Sequence, residues 1–317
     1  MENVSILIHN VRRLTGNTNF STTSGIPDED IILALNDAQD RAQLLISNSN
    51  SEAKHFTTEE EISLVANQEG YSLTGRLYFN KEIQNVEFSY SGNDEDYQPL
   101  TKVSFLNRNS DTSDYCSHYY RRHGRLYINP IPTSSTGTLR VMYEATVDDL
   151  DKRRGLISTV TGLSSTTFTS ITIDSTADES SSPKNLSSTD YFCICDKDGV
   201  VTARNIPFGS YSTSTNVLTP HASHAFASGE TIAANSYVTL GKWTTTHSGL
   251  PDDCMPYMIA FAVERILSAD KSAQRYKDAA KFRMEWEDGI TRQSRSQTAE
   301  LQLIPRIEWS EWWPYAG

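Results

Sequence analysis

The stretch that decides the fold is YYRRHGRLYINPIPTSSTGTLRVMY, residues 119–143. Large apolar residues alternate with polar ones in two runs, at Leu126, Ile128, Leu139, Val141 and Tyr143. A period of two is typical of strands that bury one face. Turn-forming residues separate the runs at 122–125 and 130–137. The pattern therefore predicts antiparallel strands joined by hairpins, and the same alternation extends back to about Phe56.

Upstream of this β region the apolar spacing changes to three and four residues, which predicts helices. The first helix carries the stripe Val4, Leu7, Ile8, Val11 and Leu14. Gly16 is expected to end it. The second helix opens at Pro27-Asp28-Glu29-Asp30, where proline suits the first turn and the acidic residues suit the positive end of the dipole. It is expected to run to about Ser47, with Asn36, Asp37, Asp40 and Arg41 on its polar face.

Downstream, residues 155–249 are rich in Ser and Thr yet keep strand-like runs, such as 191–195 and 237–240. A disordered polar linker is the alternative. The alternating apolar positions and the aromatic residues favour a folded β domain over 155–248.

Helix signals return at Leu250-Pro251-Asp252-Asp253 and continue to about Met284, with a break near 270–272. The predicted domains are thus a body formed by 1–154 and 249–300, an inserted β domain at 155–248, and an extended docking arm at 301–317.

Charge and composition exclude several classes of protein. The chain has 317 residues and a net charge of −12. A protein that coats nucleic acid would normally be basic. No apolar run approaches the ~20 residues that span a bilayer, and the N-terminus lacks a signal-peptide core. We therefore expect a protein made in the cytosol, without membrane contact.

Cys193, Cys195, His221 and His224 are candidate zinc ligands by residue type. One residue separates the cysteines, which differs from the usual zinc spacing. Two reduced thiols on one buried strand face are the favoured alternative. Asp196-Lys197-Asp198-Gly199 starts like a calcium loop, but Pro207 stands where the twelfth-position glutamate is required. A β-turn is favoured there.

No motif for an enzyme stands out. The sequence has no Gly-x-Ser-x-Gly elbow, no P-loop and no Gly-x-Gly-x-x-Gly. We predict no catalytic residue, no cofactor and no metal site.

Two clusters are predicted to form interfaces. Arg121, Arg122 and Arg125 lie beside tyrosines in the most basic stretch of the chain. An acidic protein neighbour is the favoured partner, ahead of a solvated hairpin tip and of nucleic acid. The second cluster is aromatic and lies in the arm, at Trp309, Trp312, Trp313 and Tyr315. Such rings are favoured interface anchors. Docking on a neighbour is slightly favoured over docking on the same subunit.

Several phrases of the sequence resemble the head–tail connector proteins of tailed bacteriophages, also called adaptor or neck proteins, including the tail-tubular-A type. The resemblance covers roughly 1–154 and 249–290. The phrases are Ile26–Ile32 with Leu35–Gln39, Ile83–Phe88 with Tyr97–Leu100, Gly124–Pro132 with Gly137–Tyr143 and Asp149-Leu150, and Leu250–Asp253.

The residue patterns together with this resemblance predict an α+β fold with a helical ring-forming body, an antiparallel β region and an inserted all-β domain. The insertion and the aromatic arm are not part of the family pattern. The resemblance implies a structural virion protein of the neck that forms a ring, dodecameric in such proteins, under the portal. The partners implied are further copies of the chain, the portal protein, and a tail, nozzle or tail-tube protein. DNA would pass through the channel only in transit. The alternative is a virion β-domain that recognises carbohydrate or a host surface.

Overall fold

The computed structural model describes residues 3–16, 25–49, 56–73, 75–77, 83–91, 96–107, 116–122, 125–164, 167–174, 191–221, 224–225, 230–269 and 273–295. It contains both helices and sheets. The chain divides into two compact units, Met1–Asn50 with Val147–Gly317, and Ser51–Thr146. The sequence-based division, which groups the β region with the helices, stays a prediction about which segments act together.

The described part of the first unit holds four α-helices. They are α1 (Val4–Thr15), α2 (Asp28–Ser49), α3 (Met255–Ile266) and α4 (Gln274–Arg295). The Asn3 side chain accepts a hydrogen bond from the Ser5 amide at the start of α1, and Gly16 ends that helix at φ 76°. Such a left-handed conformation favours glycine. α1, α2 and α4 all contact α3.

α3 is the central helix, since the other three helices contact it and seven of its twelve residues are buried. Its buried residues are Met255, Tyr257, Met258, Ile259, Ala260, Ala262 and Val263. The two alanines let neighbouring backbones approach closely. Tyr257 stacks on Trp286 of α4, with ring centroids 4.2 Å apart.

The second unit is a β sandwich. Its strands are β1 (Thr57–Ser63), β2 (Gly70–Tyr71), β3 (Ile83–Ser89), β4 (Gln98–Pro99), β5 (Thr101–Lys102), β6 (His118–Arg122), β7 (Arg125–Asn129) and β8 (Thr138–Glu144). One sheet has the order β1-β8-β3-β4 and the other β2-β7-β6-β5. Both sheets contribute side chains to one core, including Leu126, Ile128, Leu139, Val141 and Tyr143. The predicted hairpin strands β6 and β7 pair antiparallel.

The remaining strands belong to the first unit. They are β9 (Asp149–Leu150), β10 (Gly155–Thr161), β11 (Thr167–Phe168), β12 (Ser170–Asp174), β13 (Tyr191–Cys195), β14 (Val201–Ser212), β15 (Val217–Pro220), β16 (His224–Ala225), β17 (Tyr237–Leu240) and β18 (Thr244–Thr245). Six of them close a barrel in the order β10-β12-β15-β14-β13-β17. Closure removes exposed sheet edges. Its core includes Phe168, Phe192 and Phe208, so residues 155–248 contain a folded β structure.

Some local predictions differ from the structure. The alternation that starts near Phe56 includes Leu64 and Ala66 and predicts a strand through them, but β1 ends at Ser63. Just beyond it, the Tyr71 hydroxyl binds the backbone N–H and carbonyl of Val65. The alternation of Val103 and Phe105 predicts a strand, but Phe105 lies in a 3₁₀ turn, Phe105–Asn107. The turn brings its ring to Tyr120. Thr231-Ile232 is strand-like in the sequence but does not lie in a strand. The last helix extends to Arg295 rather than Met284.

Candidate protein–protein interface

The register of β6 and β7 separates the three arginines predicted to form an interface. Arg122 pairs with Arg125, whereas Arg121 pairs with Leu126, whose side chain lies in the sandwich core. Directly paired residues share one face of a sheet. Arg122 and Arg125 therefore lie on the outer face, and Arg121 lies on the core side at the exposed strand end.

Three aromatic rings share the outer face with the two arginines. Tyr120 stacks on Tyr127 with centroids 5.1 Å apart, and Phe105 lies 5.8 Å from Tyr120. The Arg122 guanidinium lies 4.6 Å from the Phe105 ring centroid. Arg125 donates to the Ser72 hydroxyl at 3.1 Å. We call this set, Phe105, Tyr120, Arg122, Arg125 and Tyr127, the arginine face.

Stacking and hydrogen bonding hold the arginine face in one conformation. The Tyr120 hydroxyl donates to the Glu69 carboxylate, and Tyr120 itself is buried. A guanidinium held on an aromatic ring loses less side-chain entropy when it binds a partner. Arginine and tyrosine are also enriched at the centre of protein interfaces. The arginine face is therefore suited to a protein partner that offers carboxylates.

The other sheet of the sandwich carries the opposite charge on its outer face. Glu61 and Glu87 both pair with Arg140, and Glu59 lies two residues from Glu61 on the same face. Arg140 contacts Glu59 and Glu61, each at 3.2 Å, and the Tyr97 ring covers its guanidinium at 3.8 Å. We call Glu59, Glu61, Glu87, Tyr97 and Arg140 the glutamate face. Three carboxylates share that face with one guanidinium, and two of them, those of Glu59 and Glu61, contact it.

In the first unit, a row of amide side chains on α2 binds the chain that leads into the barrel. The Asn36 amide donates to the Leu150 carbonyl at 3.1 Å and accepts from the Leu150 amide at 2.6 Å. Gln39 donates to the Asp148 carbonyl at 2.8 Å, and Gln43 accepts from the Val147 amide at 3.1 Å. The helical periodicity predicts Asn36 on a polar helix face and gives no sign of a role for Gln39 or Gln43. The sequence signal for this row is the spacing of three amide side chains at 36, 39 and 43, which places them on one face of the helix.

An ion network joins the same chain segment to α1 and α2. Asp28 contacts Arg12 at 2.5 Å and Lys152 at 3.2 Å, while Glu29 contacts Lys152 at 3.3 Å and Arg154 at 3.4 Å. Arg154 also binds the buried Asp151. Three cations thus meet three carboxylates. The acidic residues at the start of α2 thus have two roles: they form these ion pairs, and they lie at the positive end of the helix dipole.

The network makes stability depend on pH at Asp28. Burial alone would raise the pKa of Asp28, but the hydrogen bond from Arg12 and the charge of Lys152 outweigh it and hold the pKa below its usual 3.8. A lowered pKa stabilises the fold above the usual pKa, and that contribution is lost as pH falls through the lowered value. We expect Asp28→Asn to be less stable than wild type at neutral pH. Urea titrations should show the gap shrinking below pH ~4, and a gap that widens on acidification would contradict this.

The candidate zinc ligands Cys193, Cys195, His221 and His224 do not form a metal-binding cluster. Cys193 and Cys195 are fully buried on β13, as the favoured alternative predicted. Burial raises the pKa of the Cys195 thiol to about 12. His224 lies 3.3 Å from Glu230. Among the described residues, no group of three or more His, Cys, Asp or Glu could hold a metal ion.

Asp196–Gly199 forms the favoured turn. The Asp196 carboxylate accepts from the amides of Asp198 and Val200, each at 2.9 Å. This side-chain-to-backbone pattern is that of an Asx turn. The carboxylate is thus used to close the turn.

The predicted aromatic interface of the arm lies outside the described residues. This applies to Trp309, Trp312, Trp313 and Tyr315, and to residues 301–317 as a whole. Their role stays a prediction from the sequence.

Residues 3–155 match the SU10 adaptor protein family. The match spans α1, α2 and the whole sandwich, and it ends where β10 opens the barrel. It covers just under half of the chain. The SU10 adaptor match supports a structural phage adaptor and agrees with the resemblance to adaptor proteins.

The finer parts of that resemblance stay predictions. They are the likeness to the tail-tubular-A type and the extension over residues 249–290, because the SU10 adaptor match reaches neither. Comparison with curated proteins found no match. In the described part of the chain, no helix is long and apolar enough to span a membrane.

Proposed function

We propose that this chain is a head-to-tail adaptor of a tailed-phage virion. It forms a ring beneath the portal in the neck, joins the portal to the tail, and lets DNA pass through the ring. The observation that carries the proposal is the SU10 adaptor match over the segment that contains both charged faces of the sandwich. The role is assembly rather than catalysis.

Charge supports passage of DNA rather than capture. A wall that carries a cationic field binds the phosphate backbone and slows its movement. The chain has a net charge of −12, and the two exposed arginines of the arginine face are a small local exception. DNA is therefore a molecule in transit here and not a bound ligand.

The barrel offers little support for the alternative, a carbohydrate-binding module. A sugar needs exposed aromatic ring faces on which to stack. Phe168, Phe192 and Phe208 lie inside the barrel core. Rings at the barrel surface carry cations, with Arg153 over Tyr237 at 4.1 Å and Arg204 over Trp243 at 5.7 Å.

Truncation after Ile304 tests the docking arm of this adaptor. It removes Trp309, Trp312, Trp313 and Tyr315, and rings of this type commonly contribute most of the binding energy of an interface. We expect affinity for the portal protein of the same phage, or for neighbouring subunits, to fall about tenfold or more. Sedimentation of purified chain with and without portal measures both.

The matched control replaces the three arm tryptophans with phenylalanine, which keeps aromatic anchors and should retain most of the affinity. Unchanged assembly of the truncated chain would remove the arm from the mechanism. A full-length chain that stays monomeric and has no affinity for the portal would overturn the adaptor function itself.

A further inference from the structure

The two charged faces of the sandwich lie on opposite sides of one core. Each sheet directs its inner residues into the shared core, so the outer residues of the two sheets point away from each other. Arg122 and Arg125 project from one side, and Glu59, Glu61 and Glu87 from the other. The sandwich therefore has one positively charged side and one negatively charged side.

The exposed charges do not cancel within either face. On the arginine face, two guanidiniums share the surface with Glu69, whose carboxylate binds the Tyr120 hydroxyl. On the glutamate face, Arg140 is only 15 % exposed, whereas Glu59 and Glu61 are 49 % and 54 % exposed. The guanidinium is therefore withdrawn under Tyr97 while the carboxylates extend into solvent. The arginine face therefore carries a net positive charge, and the glutamate face carries a net negative charge.

We infer that the arginine face of one copy binds the glutamate face of the next copy. This inference rests on the proposed function, because the partner is the neighbouring copy in the proposed ring. It adds which surfaces of the two copies meet. An interface between two different patches is heterologous, and repetition of one such contact closes a ring when its rotation divides the circle. Complementary charge also fixes the order of the copies, since like faces repel.

The chemistry of the contact matches the residues on each side. Arg122 and Arg125 are exposed and supply planar donors for carboxylates. The Phe105 ring lies beneath Arg122, and the stacked rings of Tyr120 and Tyr127 extend the apolar surface beside it. Glu59 and Glu61 supply carboxylates two residues apart on one strand face, a spacing that suits two neighbouring guanidiniums. Tyr97 adds an aromatic ring to that side.

Charge reversal tests the inference. One variant carries Glu59→Lys with Glu61→Lys, and the other carries Arg122→Glu with Arg125→Glu. Each variant alone should associate about tenfold or more weakly than wild type, because like charges then meet. Mixed together, the variants should associate again, since each altered face now meets a face of opposite sign. Sedimentation at high protein concentration and low salt measures all three samples.

Controls separate this inference from misfolding and from the proposed function. Arg121→Glu, on the core side of the same hairpin, should leave association within about twofold, as for a rim charge. If the lysine variant fails to fold, Glu59→Gln with Glu61→Gln replaces it and should still weaken association. A mixture that stays as monomeric as its components would overturn the inference. Portal binding of wild type, measured separately, would survive that failure if the adaptor function holds.

Discussion

Replacement of Asp151 by alanine is expected to destabilise the helix-and-barrel unit by about 3–5 kcal/mol. The Asp151 side chain is only 5 % exposed. Its carboxylate accepts two bonds from Arg154 Nε, at 3.0 and 3.1 Å, and one from Arg154 Nη2 at 2.6 Å. It also accepts from the Leu240 amide at 2.6 Å. Alanine leaves a guanidinium and a backbone N–H without this acceptor.

Removal of the Asp151 carboxylate affects the whole unit, because Asp151 and its partner Arg154 contact both the barrel and the helices. Leu240 ends β17, which pairs with β10 to close the barrel, while Arg154 contacts Glu29 of α2. One carboxylate thus connects the barrel strand to the ion network on the helices. Without it, the chain entering the barrel loses a contact on each side. Burial of an uncompensated charge is costly because the desolvation penalty is no longer offset.

Chemical denaturation followed by far-ultraviolet circular dichroism measures this effect. The helix signal reports the unit that holds α1 to α4. Asp151→Asn keeps an oxygen acceptor and should cost less than alanine. Asp198→Ala, at a carboxylate that is 68 % exposed, should change the free energy of unfolding by no more than about 0.5 kcal/mol. Equal losses for Asp151→Ala and Asp198→Ala would contradict the assigned role.

Local periodicity was enough to predict the helices and much of the sandwich. The stripe from Val4 to Leu14 gives α1, and the alternation at Leu126 and Ile128 gives β7. These signals depend on neighbours within a few positions of the chain. The strand runs at 191–195 and 237–240 likewise coincide with β13 and β17.

The candidate site depended on contacts that periodicity does not encode. The three arginines look equivalent in the sequence, and only the register of β6 against β7 places Arg121 apart from Arg122 and Arg125. The glutamate face needs the pairing of β1 and β3 with β8. The amide row of α2 binds backbone more than a hundred positions away, as for Gln39 and Asp148. A polar helix residue gives no local sign of such a partner.

The Trp286→Ala substitution is expected to cost about 3–5 kcal/mol, the range for removal of a large buried ring. Trp286 is 4 % exposed and stacks on Tyr257, with centroids 4.2 Å apart and planes 21° apart. Tyr257 lies on α3, the helix that α1, α2 and α4 all contact. Its hydroxyl also donates to Glu287 at 3.1 Å. The cavity would therefore open at the centre of the helical body.

Two variants on α4 make this prediction specific. Trp286→Phe keeps a ring against Tyr257 and removes an indole N–H that has no hydrogen-bond partner in the described part of the chain. It should cost about 1–2 kcal/mol, because a smaller ring fills most of the space. Met284→Ala, at a side chain that is 60 % exposed, should be close to neutral. We expect the urea midpoint to fall along the series wild type, Met284→Ala, Trp286→Phe, Trp286→Ala. If alanine and phenylalanine cost the same, the stack does not hold α4 on α3, and the helical body depends instead on its ion pairs, such as Arg283 with Glu264.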